Sequence, residues 1–85
     1  MKPLLTFPTT FPVKVMGANE QDFETLVLEI IQKHASTAEE REITRRPSRE
    51  GKFISVTVYI RAENQEQLDA IYRELSAHER VLMML

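Results

Sequence analysis

An α+β sandwich is the fold class predicted for this 85-residue chain: a four-stranded antiparallel sheet, strand order 4-1-3-2, with two helices on one face. Three observations predict it. The stretch Lys52 to Glu63 alternates, with Ile54, Val56, Val58, Ile60 and Ala62 on one side and Phe53, Ser55, Thr57, Tyr59 and Arg61 on the other. That period of two marks a strand with one apolar face. Two other stretches carry the apolar stripe of an amphipathic helix. The remaining apolar segments fall between and outside these, giving the order strand, helix, strand, strand, helix, strand.

The elements follow in chain order. Residues 1–10 hold Pro3 and Pro8 with Leu4, Leu5 and Phe7 between. Prolines lock extended backbone, so this is an arm, expected to lie on or beside the uncovered face of the sheet. Phe11, Val13 and Val15 alternate with Pro12, Lys14 and Met16 as the first strand, which Gly17 punctuates. Asn19 is placed as the N-cap of the first helix, with Glu20 and Asp22 in its first turn, where the helix dipole favours negative charge. Phe23, Leu26, Val27, Ile30 and Ile31 form its stripe, and Lys33 and His34 close it. Glu39 to Ser48 has one clear apolar residue, Ile43, and carries Pro47; charge and proline of this kind suit an edge strand. A turn at Ser48-Arg49-Glu50-Gly51 joins it to the long central strand. Asn64 and Gln67 have capping-box spacing, and Leu68, Ile71, Tyr72 and Leu75 give the second stripe, ending near His78. The closing run Val81-Leu82-Met83-Met84-Leu85 does not alternate and reads as a strand covered on both faces.

Right-handed crossovers then put the first and third strands in the centre, the ferredoxin-like arrangement. With 42% hydrophobic and 28% charged residues the chain fits a single domain, 1–85, without room for a second core. The absence of cysteine excludes disulfides and thiolate chemistry. Met1-Lys2-Pro3-Leu4-Leu5 is too short for the apolar region of a secretion signal, and no run approaches the roughly 20 apolar residues of a membrane span. A soluble cytoplasmic protein is expected. The net charge of −2 argues against a nucleic-acid partner.

Residues that could carry chemistry are few. His34 and His78 extend the two stripes at helix ends, where a histidine helps satisfy terminal carbonyls, and no partners at metal-ligand spacing accompany them. Arg41, Arg45, Arg46, Arg49 and Lys52 cluster near the hairpin as an anion patch or as a solvated edge balanced by Glu39, Glu40, Glu42 and Glu50. Phe53 and Tyr59 on the open sheet face match the aromatic positions of RNA-recognition motifs only loosely, and the first strand lacks an aromatic beside Lys14. Gly17-Ala18-Asn19, at the first strand–helix junction, is the ligand-binding candidate: glycine permits close approach, and a helix start offers free N–H groups. No phosphate loop, nucleophile elbow or paired carboxylates support catalysis, and no cofactor or metal is expected. Met16, Phe53, Tyr59, Leu82 and Met84 are grouped as an apolar interface on the face away from the helices.

Phe7-Pro8, Phe11 and Lys14-Val15-Met16-Gly17, followed by Pro47-Ser48, Gly51, Ser55-Val56 and the closing Val81, Met83 and Leu85, resemble the small bacterial YbeD-like proteins. The resemblance spans nearly the whole chain. It implies a βαββαβ domain similar to ACT regulatory domains, such as that of D-3-phosphoglycerate dehydrogenase, which bind amino acids or similar effectors at domain interfaces. It brings no catalytic residues. The expectation is a non-enzymatic regulatory or adaptor domain, self-associating as a homodimer, that binds an amino-acid-like metabolite or a protein partner. The alternative is an RNA-binding module using the open sheet face.

Overall fold

The computed structural model describes residues 6–36, 38 and 42–85. Its elements are β1 (Thr9–Ala18), α1 (Phe23–His34), β2 (Ile43–Pro47), β3 (Phe53–Ala62), α2 (Gln65–Ala77) and β4 (Val81–Met84). The strands form one antiparallel sheet in the order β2-β3-β1-β4, the expected arrangement.

β1 and β3 pair over their full length, from Thr9 opposite Ala62 to Ala18 opposite Phe53. This register puts Val13 and Val15 beside Val58 and Val56 on one face, and all four are buried. Phe23, Val27, Ile30 and Ile31 of α1 and Leu68, Ile71 and Leu75 of α2 close over them. Burying each such side chain contributes about 1.5–3 kcal/mol, so the two stripes and the two valine rows account for most of the driving force. Tyr72 extends this layer and meets Phe11 edge-on, with ring centroids 6.4 Å apart. Partial burial pushes its phenol pKa up.

Asn64 caps α2 as expected, accepting a hydrogen bond from the Gln67 amide; the return bond of a capping box is displaced by one residue, since Gln67 Oε1 accepts from the Glu63 amide rather than from that of Asn64. α1 starts later than predicted. Asn19 is not its cap: its backbone N–H donates to the Lys52 carbonyl and its side-chain amide to the Gly51 carbonyl, both at 2.9 Å. Asn19 therefore clamps the β2–β3 turn, and the helix begins only at Phe23, with Asp22 in the N-cap position. Glu20 and Asp22 precede the first turn, and Glu24 supplies its acid.

Two more expectations change. β4 is an edge strand covered on one face only, because both helices lie on the same side of the sheet. Its register on β1 shifts between Met16 and Gly17, so Val81 pairs with Gly17, Met83 with Met16, and Leu82 is the extra residue of a bulge. The arm does not cover the open face as far as it is described. Phe7 packs against the core on the helix side, where it finds apolar neighbours; the open face near the start of β1 offers Thr10 and Arg61 instead. Leu4, Leu5, Thr37, Glu39, Glu40 and Arg41 lie outside the described residues. Among the described residues, no helix is long and apolar enough to cross a membrane.

The helices are tied to each other by Glu74 of α2, which accepts from Lys33 and lies 2.8 Å from His34 Nε2 at the end of α1. The hydrogen bond from Lys33, then that from His34, holds the Glu74 carboxyl below its usual range. Its folded pKa is thus below the unfolded value of about 4.3, so its charge stabilises the fold above that pH and loses this effect as pH falls through the depressed value.

Two outcomes follow. Val58→Asp places an unpaired carboxylate in the core and should cost more than about 4 kcal/mol, enough to unfold a domain of this size, whereas Thr57→Asp on the other face should cost about 1 kcal/mol or less. Urea titration followed by circular dichroism checks both; equal costs would contradict the assignment of faces. Glu74→Gln should melt below the wild type at neutral pH, with the gap closing below about pH 4. A gap that persists in acid would show that the carboxylate charge is not its source.

Candidate functional site

Among the described residues, one face of the sheet carries no helix, and the register assigns its residues row by row. Arg46, Ser55, Met16 and Met83 form one row across all four strands. Thr44, Thr57 and Lys14 form the next, and the Leu85 amide bonds to the Lys14 carbonyl at 2.9 Å to complete it on the β4 side. Tyr59 pairs with Pro12 beyond this row, and Phe53 with Ala18 at the opposite end.

The face divides in two. On the β4 side, Leu82, Met83 and Leu85 are 56%, 49% and 50% exposed. On the β2 side lies a shallow depression of about 400 Å³ lined chiefly by Lys14, Thr44, Arg46, Ser55, Thr57 and Tyr59. Arg45, also at its rim, stands opposite Val56 on the helix side and pairs there with Glu24 of α1. Of the residues grouped as an interface from sequence, Met16, Phe53 and Tyr59 are on this face and Leu82 is at its β4 edge. Met84 is not: it stands opposite Val15 and packs against the core. Met83 takes the position expected for it, because the bulge at Leu82 reverses the alternation along β4.

Sequence reasoning did not bring Lys14 and Arg46 together, nor did it single out Met83 and Leu85 as surface residues. A signal was present for the first pair. The four strands contain Lys14, Arg45, Arg46 and Arg61 and not one Asp or Glu, although acids outnumber bases 13 to 11 in the chain.

At Gly17-Ala18-Asn19 the close approach permitted by glycine is already taken by the protein itself. A Cβ on Gly17 would lie 2.4 Å from two ring atoms of Phe23 and 2.8 Å from the Arg80 carbonyl oxygen. The Arg80 guanidinium sits 5.9 Å from the centre of that ring and binds both Asp22 carboxylate oxygens, at 2.7 and 3.1 Å. This hydrogen-bonded pairing with Arg80 lowers the Asp22 pKa and raises that of Arg80. Strand, helix start and the approach to β4 are thereby joined at one point. His34 and His78 do not converge: His34 meets Glu74, and His78 Nδ1 accepts from the Arg80 amide at 3.2 Å. Gly17→Ala should therefore destabilise the domain by about 1–3 kcal/mol in urea titration, through overpacking against Phe23. A neutral or stabilising effect would show that this junction is loosely packed.

Comparison with known proteins places the chain. The family model described as "Protein of unknown function (DUF493)" matches residues 2–85. A UPF0250 protein of Neisseria gonorrhoeae is 50% identical over 82 residues, covering 96% of this chain and 90% of the relative. A UPF0250 protein of Paraburkholderia phymatum is 40% identical over 82 residues, covering 96% and 92%. The solution structure of HP0495 from H. pylori superposes with a TM-score of 0.73 at 20% identity, covering 99% of this chain and 88% of that one, a likeness of fold. The chain belongs to the DUF493/UPF0250 family, the YbeD-like proteins.

Proposed function

We propose that this protein is a non-catalytic adaptor or regulatory domain that works by presenting the open face of its sheet to a protein surface, first of all to a second copy of itself. One observation carries the reading: Leu82 and Met83 of the edge strand β4, and Leu85 just after it, are half exposed. Each is already half buried and would gain about 1 kcal/mol on full burial. Clustered apolar exposure of this kind on a small domain marks a contact surface, and an edge strand also offers unpaired backbone groups. A two-fold axis beside β4 would bring the same three residues together from both copies.

The amino-acid-effector reading of Gly17-Ala18-Asn19 draws on the ACT-like resemblance. The filled space at Gly17 and the commitment of Asn19 to Gly51 and Lys52 favour the sheet face over that junction. The RNA-binding alternative has weaker support. Phe53 and Tyr59 are six residues apart on one strand, about 20 Å, and β1 supplies no ring between them.

Sedimentation across a micromolar-to-millimolar range tests the reading. The wild type should pass from monomer to dimer, and Leu82→Lys should remain monomeric with unchanged melting temperature, since the residue is exposed and two lysines would meet across the axis. A wild type that stays monomeric throughout, or a variant that dimerises equally well, would overturn self-association through β4.

A further inference from the structure

We propose that the β2 side of the open face binds a phosphate-bearing small ligand of about mononucleotide size, with the phosphate between Lys14 and Arg46 and a planar group against Tyr59. The inference uses the open face as the working surface but does not depend on self-association, which concerns its β4 side.

The charge distribution is the first support. The molecule is acidic overall, yet every charged residue within its strands is basic, and the acids of the described residues lie on helices and in loops. Of the strand cations, Arg45 is paired with Glu24 and Arg61 lies near Glu63. Lys14 and Arg46 project onto the open face, and no carboxylate among the described residues pairs with either. Two cations on one face that no carboxylate of the described residues pairs with repel each other, and a bound anion relieves that repulsion.

The neighbours of these cations are the second support. Thr57 stands between Lys14 and Thr44 in one row, and Ser55 stands beside Arg46 in the next. Directly paired side chains are about 4.5–5.5 Å apart and diagonal ones about 7–8 Å. An anion seated over Thr57 is therefore within reach of the ammonium on one side, the guanidinium on the diagonal, and three hydroxyl donors. Five donor groups on three strands suit a tetrahedral dianion better than a single planar carboxylate, and arginine matches phosphate oxygens two at a time. Lys14 and Arg46 together balance the two charges of a phosphomonoester.

The limits of the depression set the ligand's size. Tyr59 forms one wall, 42% exposed, and its ring face offers a stacking surface for a base or similar planar group. Just beyond it Glu42 lines the adjoining hollow with Thr10 and Arg61. A polyanionic strand continuing past Tyr59 would meet that carboxylate, whereas a ligand that ends in its planar group would not.

Titration of the ¹⁵N-labelled full-length chain in phosphate-free buffer tests the proposal, with adenosine 5′-monophosphate, inorganic phosphate, adenosine and a single-stranded oligothymidylate as probes. The monophosphate should shift the amides around Lys14, Arg46, Thr57 and Tyr59 saturably. Inorganic phosphate should shift the same rows more weakly, and adenosine should not bind. Lys14→Gln and Arg46→Gln should each weaken monophosphate binding about tenfold or more while the rest of the spectrum stays folded. Tyr59→Ala should weaken the monophosphate but not inorganic phosphate. Leu82→Lys should bind like the wild type, which separates this site from any failure of self-association. Absence of saturable shifts with both phosphates, shifts centred elsewhere, or unchanged affinity in the glutamine variants would overturn the site. Oligothymidylate binding much tighter than the monophosphate would overturn the small-ligand assignment in favour of a nucleic-acid strand.

Discussion

The pairing of β1 with β3 is the constraint on which the rest of this structure depends. Ten residues of each strand align without a break, and the register decides at once which side chains meet the helices and which do not. Sliding it by one residue would send Val13 and Val15 to the side opposite Val56 and Val58, and neither helical stripe would find a continuous surface. Because both crossovers return on the same side, α1 and α2 dock there together, and Glu74 with Lys33 and His34 ties them where they meet. Among the described residues, the other side receives no helix. The open face is thus a consequence of how the core is built.

That uncovered side is not uniform. β4 joins β1 through a bulge, which turns Leu82 and Met83 away from the core in succession and leaves Leu85 beyond them. β2 joins β3 with Thr44 and Arg46 facing outward, opposite Thr57 and Ser55. One face therefore carries an apolar strip at one edge and a cationic, hydroxyl-rich hollow towards the other. The two sets have different chemistry, and the two proposals assign them different partners, a protein surface and a phosphate-bearing small molecule. A small domain with both could link ligand occupancy to association, since Met16 and Lys14 of β1 lie between them.

Most of the fold was legible in the sequence because its signals are local. The alternation of β3, the stripes of both helices and the Asn64 cap of α2 each depend on residues a few positions apart. Where local signals were ambiguous, long-range contacts decided. Asn19 and Asp22 both suit an N-cap, and only the bonds from Asn19 to Gly51 and Lys52, 32 and 33 positions away, remove it from that role. The apolar run of β4 looked buried because a bulge breaks alternation in the same way as two-sided burial. Gly17 stands out in the sequence as a place where a ligand could approach closely; in the structure the ring of Phe23 and the carbonyl of Arg80 are what approach it. The face was less legible than the fold. Phe53 and Tyr59 could be placed on it from β3 alone, whereas Lys14 and Arg46 come together only once the registers of β2, β3 and β1 are known.

The central claim, that the β1–β3 ladder carries the fold and the flanking strands are added to it, is most directly tested by native-state hydrogen exchange. Amides that bond across the ladder around Val13, Val15, Val56 and Val58 should exchange only through global unfolding, with an opening free energy equal to the stability from urea titration. Amides of β4, held by β1 alone, should open at distinctly lower free energy. Ladder amides that exchange by local opening, or β4 amides as protected as the ladder, would contradict the account.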